Sequence, residues 1–349
     1  MTPSPPKNIA VIGAGMAGIV CARTLTQAGH LVTVFEKGAN PGGRMATCDS
    51  SFGTFDHGAQ YFTVRDPRFA KALQTVPDVC KPWSANTVRL LDEQGRVAAA
   101  ALPTHEAHWV GVPAMNALVA RWTQPLAQQR KVELETTIVR LQRDALHPRQ
   151  WQLQSMGGDG AQHVYSGFDA VLLAVPAEPA RLLLNTSGQA DALARQIDVV
   201  ELAPCWTLML AFPQAMQPGL STLGPQWNAA RSTHHRIAWL ARESSKPGRG
   251  SVERWTVHAS AAWSQEHLED DAVRVQAKLL KAFSEVTGIR AEPAYIDSHR
   301  WRHAKTTRPL GHSNLWDADI GVGVCGDWCL GHRVEDAFVS GLELALVVA

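Results

Sequence analysis

The chain has 349 residues, a length that suits two domains better than a single core. Hydrophobic residues make up 45% and charged residues 19%, and the formal net charge is +1. This ordinary globular balance argues against a nucleic-acid-binding or anionic-membrane-binding protein. The apolar runs are shorter than a bilayer span and the first residues lack a signal-peptide pattern, so a cytoplasmic protein is expected.

The predicted elements follow from hydrophobic periodicity and from residues that begin or end helices, such as Asp66 and Gly29. The predicted helices span residues 16–28, 66–76, 113–122, 268–286 and 334–348. The predicted strands span residues 8–12, 31–35, 132–141, 151–154, 168–175 and 320–325, with a hairpin over 87–97 and several strands between 202 and 258.

A glycine-rich motif, Gly13-Ala14-Gly15-Met16-Ala17-Gly18, lies between the first strand and the first helix. In a GxGxxG motif the first glycine permits a tight turn, the second lets the backbone approach a pyrophosphate, and the third lets the helix pack on the strand. The helix N-terminus favours the phosphates. Glu36, with Lys37 beside it, ends the second strand where a carboxylate can accept hydrogen bonds from a ribose and repel a 2′-phosphate. This motif predicts a dinucleotide and serves FAD and NAD equally well.

Two further segments favour FAD over NAD. Pro41-Gly42-Gly43-Arg44-Met45 offers Gly-Gly amides and an arginine to the second phosphate and the flavin side of a longer cofactor. Gly326-Asp327 ends the last strand, where the aspartate suits a ribityl hydroxyl. The helix beginning near Val334 is expected to direct its N-terminus at the flavin, where its partial positive charge stabilises the reduced form. The sequence therefore predicts non-covalently bound FAD.

The two ends of the chain carry these nucleotide-type segments, with mixed strands between them. This order predicts an α/β fold: a Rossmann-type FAD-binding domain, with a parallel sheet and a three-stranded antiparallel crossover, plus an inserted α+β substrate domain with a mixed sheet. The expected FAD-binding domain comprises residues 1–60, 109–185 and 296–349. The expected substrate domain comprises residues 61–108 and 186–295.

The sequence resembles the renalase-type flavoproteins, within the wider amine-oxidase-like FAD superfamily, over nearly its whole length. The resemblance is carried by Gly42-Gly43-Arg44-Met45, Asp56-His57-Gly58-Ala59-Gln60-Tyr61-Phe62-Thr63, His108-Trp109-Val110-Gly111-Val112-Pro113-Ala114-Met115, Trp239-Leu240-Ala241-Arg242, His299-Arg300-Trp301, Cys325-Gly326-Asp327-Trp328-Cys329-Leu330 and Arg333-Val334-Glu335. Beyond the motifs above, it implies FAD contacts at Gly58, Ala59, Gln60, Val139, Arg333, Val334 and Glu335. Pro41 and Asp336 depart from the family pattern.

Enzymes of this type oxidise isomers of NAD(P)H that carry the hydride at the wrong ring carbon, giving NAD(P)+, and O2 then reoxidises the flavin and yields H2O2. A dihydropyridine is already a hydride donor, so a pocket with aromatic walls and polar groups suffices without an obligatory acid or base. The candidate catalytic residues are Gln60, Tyr61, Trp301, His258 and Arg242, with Trp239 as a further wall and Arg300 as a further anion contact. The expected partners are a small dihydronicotinamide substrate and O2.

Several alternatives stay open from the sequence. A flavin amine oxidase would need an apolar tunnel ending in an aromatic cage, and a non-catalytic FAD-binding redox sensor would need no turnover. An NADPH-dependent monooxygenase would need a second dinucleotide site, and no second GxGxxG follows the first. The six cysteines lack paired zinc spacing, so no metal is expected and reduced thiols are predicted, including Cys325 and Cys329.

Overall fold

The computed structural model describes residues 5–83, 88–99, 106–157, 160–216, 225 and 227–349. The chain divides into two compact units. Unit 1 comprises Met1–Gly43, Val119–Leu202 and Thr306–Ala349, and unit 2 comprises Arg44–Leu118 and Ala203–Lys305.

The strands, in chain order, are β1 Asn8–Ile12, β2 Leu31–Phe35, β3 Cys80–Pro82, β4 Arg89–Leu91, β5 Val97–Ala99, β6 Trp109–Gly111, β7 Val132–Glu133, β8 Thr136–Arg143, β9 Trp151–Gly157, β10 Gln162–Phe168, β11 Ala170–Leu173, β12 Glu201–Phe212, β13 Ala229–Ser232, β14 Ile237–Arg242, β15 Glu253–Ala259, β16 Tyr295–Arg308, β17 Leu315–Asp317 and β18 Val322–Val324. The helices are α1 Met16–Gln27, α2 Pro67–Leu73, α3 Ala117–Gln128, α4 Ala177–Thr186, α5 Asp191–Ile197, α6 Ala261–Glu266, α7 Ala272–Thr287 and α8 Val334–Val348. Short 3-10 helices span Gly43–Met45, Pro213–Met216, Glu243–Ser245 and Asp327–Cys329.

Unit 1 is built on a sheet in the order β17-β18-β11-β1-β2-β7, in which β1 pairs in parallel with β2 and β11. The central strands are apolar on both faces: β11 is buried throughout, and so is β1 apart from its first residue. This burial on both faces is typical of parallel sheets covered by helices. Between β7 and β11 the chain forms a three-stranded antiparallel sheet, β10-β9-β8. The predicted Rossmann-type fold with its antiparallel crossover is confirmed.

Unit 2 contains a mixed seven-stranded sheet in the order β16-β12-β15-β14-β13-β4-β5. One face of this sheet is apolar: Leu208, Leu240 and Val257 join Phe283 of α7 in a single core. Because side chains alternate between faces along a strand, the residues between these project from the opposite face. The predicted second domain with a mixed sheet is therefore confirmed.

Some predicted boundaries are wrong. The helix predicted over 268–286 begins at Ala272, because the Asp271 side chain accepts hydrogen bonds from Val273 N (2.9 Å) and Arg274 N (3.4 Å) and so caps it. The helix predicted over 113–122 begins at Ala117. The hairpin predicted over 87–97 forms between β4 and β5, while Thr87 lies outside the described residues.

The compact units also differ in extent from the expected domains. Residues 44–60 and 109–118 group with unit 2, where Phe62 and Trp109 exchange backbone hydrogen bonds. Residues 296–305 fall there too, as part of β16, whereas residues 186–202 group with unit 1, where Leu193 of α5 joins the core beneath the sheet. The assignment of FAD to one domain and substrate to the other stays a prediction.

None of the helices in the described ranges is both long enough and apolar enough to cross a lipid bilayer.

The contact of α1 with α8 in unit 1 gives a test of the fold. A Cβ on Gly341 would lie 2.1 Å from the carbonyl oxygen of Ala17, so Gly341→Ala forces the two helices apart. Overpacking of this kind costs about 1–3 kcal/mol, and the free energy of unfolding measured in denaturant should fall by that amount. The matched control is Leu346→Ala on the same helix, where the side chain is 59% exposed and the change should stay within about 0.5 kcal/mol. Equal stability of the two variants would contradict this helix contact.

Candidate functional site

The predicted dinucleotide motif forms the turn from β1 into α1 in unit 1. Gly13 has φ +105°, and a Cβ there would lie 2.6 Å from the carbonyl oxygen of Ala174. Packing leaves no room for a side chain at Gly18, since a Cβ there would lie 1.9 Å from the Gly13 carbonyl oxygen. Gly15 is the N-cap residue of α1, so no side chain occupies the first-turn amides. Ala14, Met16 and Ala17, also predicted as cofactor contacts, are buried in the same turn.

Glu36 organises the loops of this motif. Its carboxylate accepts hydrogen bonds from Ala14 N (2.7 Å) and Gly38 N (2.8 Å), one at each oxygen. The side chain is only 9% exposed, and both oxygens keep lone pairs for further donors such as ribose hydroxyls. Lys37, the next residue, is exposed. The sequence predicted a ribose contact at Glu36 but did not reveal that the same carboxylate ties the glycine motif to the loop after β2.

Gly15 and Gly43 form a cradle of two residues that lack side chains. Gly42 N donates to Ala14 O (3.0 Å), which brings the Gly-Gly turn against the glycine motif. A Cβ on Gly15 would meet only the Cα of Gly43, at 3.9 Å, so the protein leaves space there that a side chain would fill. Backbone amides next to such a space fit a pyrophosphate, which supports a dinucleotide at this cradle.

The end of β18 leads into the other predicted cofactor segment. Gly326 N donates to the Ser340 hydroxyl (2.9 Å), and Asp327 is 6% exposed at the start of a 3-10 helix. Arg333 is the N-cap residue of α8, whose first residues are Val334 and the buried Glu335. These residues, all in unit 1, are the ones expected at the ribityl and flavin end.

Asp336, where the sequence departs from the family pattern, has a local structural role. Its carboxylate accepts hydrogen bonds from Arg333 N (2.9 Å) and His332 N (3.0 Å). It therefore caps α8 and offsets part of the positive charge at that helix end.

The remaining predicted cofactor residues are spread over both units. In unit 2 the carbonyl of Arg44 accepts from Ala59 N (2.9 Å), and a Cβ on Gly58 would lie 2.1 Å from the same oxygen, so this approach requires glycine. Met45 is buried beside Arg44. In unit 1 Val139 is 42% exposed and lies where the pairing of β8 with β9 shifts register. Its contact with the cofactor stays a prediction.

Four candidate substrate residues meet within unit 2. His258 and Trp239 are paired in adjacent strands, so both project from the face opposite the apolar core. The Tyr61 ring lies 5.7 Å from that of Trp239, and Gln60 Nε2 lies 3.4 Å from His258 Nε2. We call Gln60, Tyr61, Trp239 and His258 the polar-face group. The predicted Gln60, Tyr61 and His258 thus cluster around a predicted aromatic wall.

Trp301 lies next to this group. Its Nε1 donates to the carbonyl oxygen of His57 (2.9 Å), which also accepts from the Thr207 hydroxyl (3.0 Å). The ring of His57 stacks on that of Trp301 at 5.2 Å with 17° between the planes. Thr207 is itself the ladder partner of His258, so Trp301 belongs to the same region of unit 2.

Arg242 does not join the polar-face group. It lies three residues beyond Trp239 on β14, and this odd spacing turns its side chain to the opposite face of the sheet. There it pairs with Glu253 (3.0 Å) and lies over the ring of Trp255 at 5.0 Å. Arg300 is similarly engaged by Glu269 at 3.0 Å. The sequence showed the arginines but not the strand register that separates Arg242 from the candidate site.

A buried charge cluster lies beside the polar-face group, and sequence reasoning missed it. Its members are Asp56, Glu243, Lys246, Arg249 and Arg254. Lys246 Nζ donates to Asp56 (3.1 Å), Glu243 (2.8 Å) and Gln60 Oε1 (3.2 Å), which uses its three donors. Because the ammonium can only donate, the Gln60 oxygen faces it and the amide nitrogen faces His258. The same amide nitrogen also lies within hydrogen-bond distance of the backbone oxygens of Asp56 and Gly58, at a shorter range than the 3.4 Å to His258 Nε2.

Asp56 is the centre of the cluster. One oxygen accepts from Arg249 (2.7 Å) and Lys246, and the other from Met115 N and the Thr47 hydroxyl, both at 3.0 Å. Burial alone would raise the pKa of Asp56, but Lys246 and Arg249 outweigh it and the pKa falls to about 2. Burial raises the pKa of Glu243, an effect that Lys246 opposes.

Two histidines of this region are held neutral. Burial, with repulsion from Lys246 and His57, lowers the pKa of His258 to about 4. Burial, with repulsion from His299, lowers the pKa of His57 to about 4 as well. At neutral pH both rings are uncharged, so they can donate and accept hydrogen bonds but are weak bases.

The cysteines give no sign of redox pairing or metal binding. All six are free thiols. Hydrogen bonding to Cys21 and then burial raise the pKa of Cys325, and burial raises the pKa of Cys329, so both stay protonated. Among the described residues, no three or more His, Cys, Asp or Glu side chains are arranged to hold a metal ion.

Comparison with known proteins gives the family. The model of the flavin-containing amine oxidoreductase family matches residues 104–349, more than half of the chain, and that of an NAD(P)-binding Rossmann-like domain matches residues 11–76. The chain therefore belongs to the flavin-containing amine oxidoreductase family. This membership supports a flavin cofactor.

Two curated relatives match this chain at 30% and 28% sequence identity. A flavin-containing monooxygenase of Arabidopsis thaliana, FMO GS-OX-like 6, is 30% identical over 50% of this chain and 36% of the relative. The tRNA 5-methylaminomethyl-2-thiouridine biosynthesis bifunctional protein MnmC of Magnetococcus marinus is 28% identical over 72% of this chain and 44% of the relative. The chain thus spans less than half the length of these relatives. The solved structure of wild-type putrescine oxidase bound to putrescine covers 99% of both chains with a TM-score of 0.73 and 12% identity, which shows a shared fold.

The two glycines of the motif should separate cofactor binding from folding. Gly15→Ala adds a methyl group to the open side of the cradle, so we expect FAD affinity to fall at least tenfold while the free energy of unfolding without FAD changes by less than about 1 kcal/mol. Gly18→Ala drives a Cβ into the Gly13 carbonyl and should lower that free energy by about 1–3 kcal/mol. FAD titration and denaturant unfolding measure both. Unchanged FAD affinity in Gly15→Ala would show that no pyrophosphate lies at the cradle.

The lowered histidine pKa values predict loss of stability in mild acid. An unfolded histidine binds a proton below about pH 6.5, whereas His258 does so only below about 4, so the unfolded state holds more protons between these values. The free energy of unfolding should fall as the pH falls through this window, by up to about 1.4 kcal/mol per pH unit for each such histidine.

The variant His258→Gln should make this slope shallower, because one of the two neutral histidines is removed. The control is His163→Gln at an exposed position of β10, which should leave the slope unchanged. Denaturant unfolding at a series of pH values gives the measurement. Equal slopes in wild type and His258→Gln would mean that His258 is not held neutral by the fold.

Proposed function

We propose that this protein is a renalase-like, FAD-dependent oxidase of aberrant NAD(P)H isomers. The substrate is a small dihydropyridine that transfers hydride to flavin N5 and leaves as NAD(P)+. O2 then accepts the two electrons from the reduced flavin and is reduced to H2O2. The reaction balances without a further co-reactant apart from protons of the solvent. FAD is held non-covalently, since the buried, protonated Cys329 thiol is not suited to form a thioether.

The observation that carries the proposal is the position of the polar-face group beside the buried charge cluster. Tyr61 and Trp239 offer aromatic surfaces to a planar ring, while Gln60 and His258 offer neutral hydrogen-bonding groups. The adjoining cluster sets Lys246, Arg249 and Arg254 against two carboxylates, one of which, Glu243, has a raised pKa. Excess positive charge of this kind favours an anionic dinucleotide and disfavours a protonated amine.

The absence of a strong base in the polar-face group agrees with the proposed chemistry. A dihydropyridine transfers hydride without prior deprotonation, so the protein need only orient the ring and exclude water. His258, neutral at pH 7 with a pKa of about 4, serves as a hydrogen-bonding group. The residues of unit 1 proposed to hold FAD are the Gly15–Gly43 cradle, Glu36 and Asp327, and the contacts of Arg44 and Gly58 stay predictions from the sequence.

A flavin amine oxidase is the second candidate, favoured by the family match over residues 104–349. Simple amines are protonated at neutral pH, so they would have to bind as the ammonium or lose a proton on entry. The excess positive charge of the buried charge cluster raises the cost of placing the ammonium form nearby. The experiment below separates the two candidates.

The FAD-loaded protein should lose its oxidised flavin absorbance when it is mixed anaerobically with dihydropyridine isomers of NAD(P)H. Simple amines and ordinary NAD(P)H are the controls and should leave the absorbance unchanged. Admission of O2 should restore the absorbance and produce one H2O2 for each hydride transferred. Stopped-flow absorbance and a peroxide assay give both quantities.

The alternative outcomes assign the other functions. Bleaching by amines alone would overturn the proposal in favour of an amine oxidase. Bleaching by none of the compounds, in protein that retains FAD and its fold, would favour a redox sensor that does not turn over.

A further inference from the structure

Trp239 carries a buried hydrogen-bond donor that has no acceptor among the residues that the structure describes. Its side chain is 9% exposed, and among the described residues no group accepts a hydrogen bond from its indole Nε1. Buried polar groups in native proteins are nearly always partnered, so an exception needs a physical explanation.

Other buried indoles of the chain do have acceptors. In unit 2 Trp83 donates to the Ser245 hydroxyl (2.9 Å), Trp206 to the His267 carbonyl (2.9 Å) and Trp255 to Glu253 (2.9 Å). Trp122 of unit 1 also lacks an acceptor among the described residues, but its ring lies under the guanidinium of Arg23 at 5.0 Å. Trp239 differs because it lies among residues suited to a ligand.

The surroundings of Trp239 indicate what kind of ligand could accept from it. The Tyr61 ring lies 5.7 Å away at 39°, and His258 is its neighbour across the β14–β15 ladder. The His258 ring lies 3.4 Å from Gln60 Nε2 and is also hydrogen-bonded to the backbone of His57. The indole of Trp239 therefore offers the unpartnered donor of this group, and a buried donor beside aromatic surfaces matches a planar ring that bears a carbonyl oxygen.

We propose that Trp239 Nε1 donates a hydrogen bond to the carbonyl oxygen of a planar aromatic or dihydropyridine ligand. The identification of that oxygen with the carboxamide of the dihydronicotinamide rests on the proposed function. Trp239 thereby acts as a specificity residue: it selects ligands that carry a carbonyl acceptor over those of similar shape that lack one. Rejection of the ligand that lacks the acceptor is strong because the donor is then left buried and unpartnered.

The test compares two indole deletions in the FAD-loaded protein, Trp239→Phe and the matched control Trp206→Phe. Both remove similar volume from buried positions, but only the Trp206 change removes a hydrogen bond made within the protein, the one to the His267 carbonyl. Without ligand, Trp206→Phe should therefore lower the thermal midpoint more than Trp239→Phe. The reverse order would show that the Trp239 donor is satisfied within the protein and would overturn the proposal.

Titration calorimetry with two probes, nicotinamide and its carbonyl-free analogue 3-ethylpyridine, completes the test. Trp239→Phe should weaken nicotinamide binding about tenfold and 3-ethylpyridine binding less than twofold, while Trp206→Phe changes neither. Nicotinamide should also raise the thermal midpoint of the wild type but not of Trp239→Phe. If the binding of both probes weakened equally, Trp239 would act only as an aromatic wall and the donor role would be wrong. Failure of the wild type to bind nicotinamide would also overturn the donor role.

These outcomes are independent of turnover. If the wild type oxidises only amines but Trp239→Phe loses selectivity for nicotinamide, the carbonyl subsite stands and only the proposed substrate is refuted. If the wild type and Trp239→Phe oxidise dihydropyridines with equal efficiency, the proposed function stands and the subsite is refuted.

Discussion

The buried carboxylate of Asp56 is the constraint on which the candidate site in unit 2 depends. A fully buried charge is tolerated only when cations and hydrogen-bond donors compensate for its lost hydration. Asp56 has four such partners, and they come from three separate stretches of chain: Thr47, Met115 and the loop that carries Lys246 and Arg249. The carboxylate therefore fixes where these stretches meet. Lys246, once held there, orients the Gln60 amide, whose nitrogen lies 3.4 Å from His258 Nε2.

Unit 1 uses a carboxylate in a related way, but with backbone amides in place of cations. Glu36 holds Ala14 N and Gly38 N, so one side chain sets the relative position of the glycine turn and the loop after β2. The two carboxylates differ in what they leave available. Asp56 has its lone pairs directed at protein donors, which suits a structural centre, whereas Glu36 at the rim of the cradle keeps acceptor capacity for a ribose.

The nucleotide-binding fold could be predicted from the sequence because its signals are local. The strand, glycine turn, helix and acidic residue of the motif fall within 36 residues, and each glycine has a steric reason that a sequence shows. The buried charge cluster could not be predicted in this way. Lys246 and Arg249 lie in a polar Gly/Pro/Ser-containing loop, which is typical of an exposed segment, and their partner Asp56 is 190 positions from Lys246. Only the folded chain shows that pairing.

Arg242 shows how strand register decides a role that composition leaves open. The odd spacing between Trp239 and Arg242 assigns them to opposite faces of one strand, so the arginine stabilises Glu253 and Trp255 while the tryptophan joins Gln60, Tyr61 and His258. The positive charge proposed to favour a dinucleotide thus comes from the buried charge cluster around Asp56, whose cations are paired with protein carboxylates. It acts through the field of the cluster and not through a direct contact. A site with this field and with neutral imidazole and amide groups suits a substrate that needs orientation more than it needs a base.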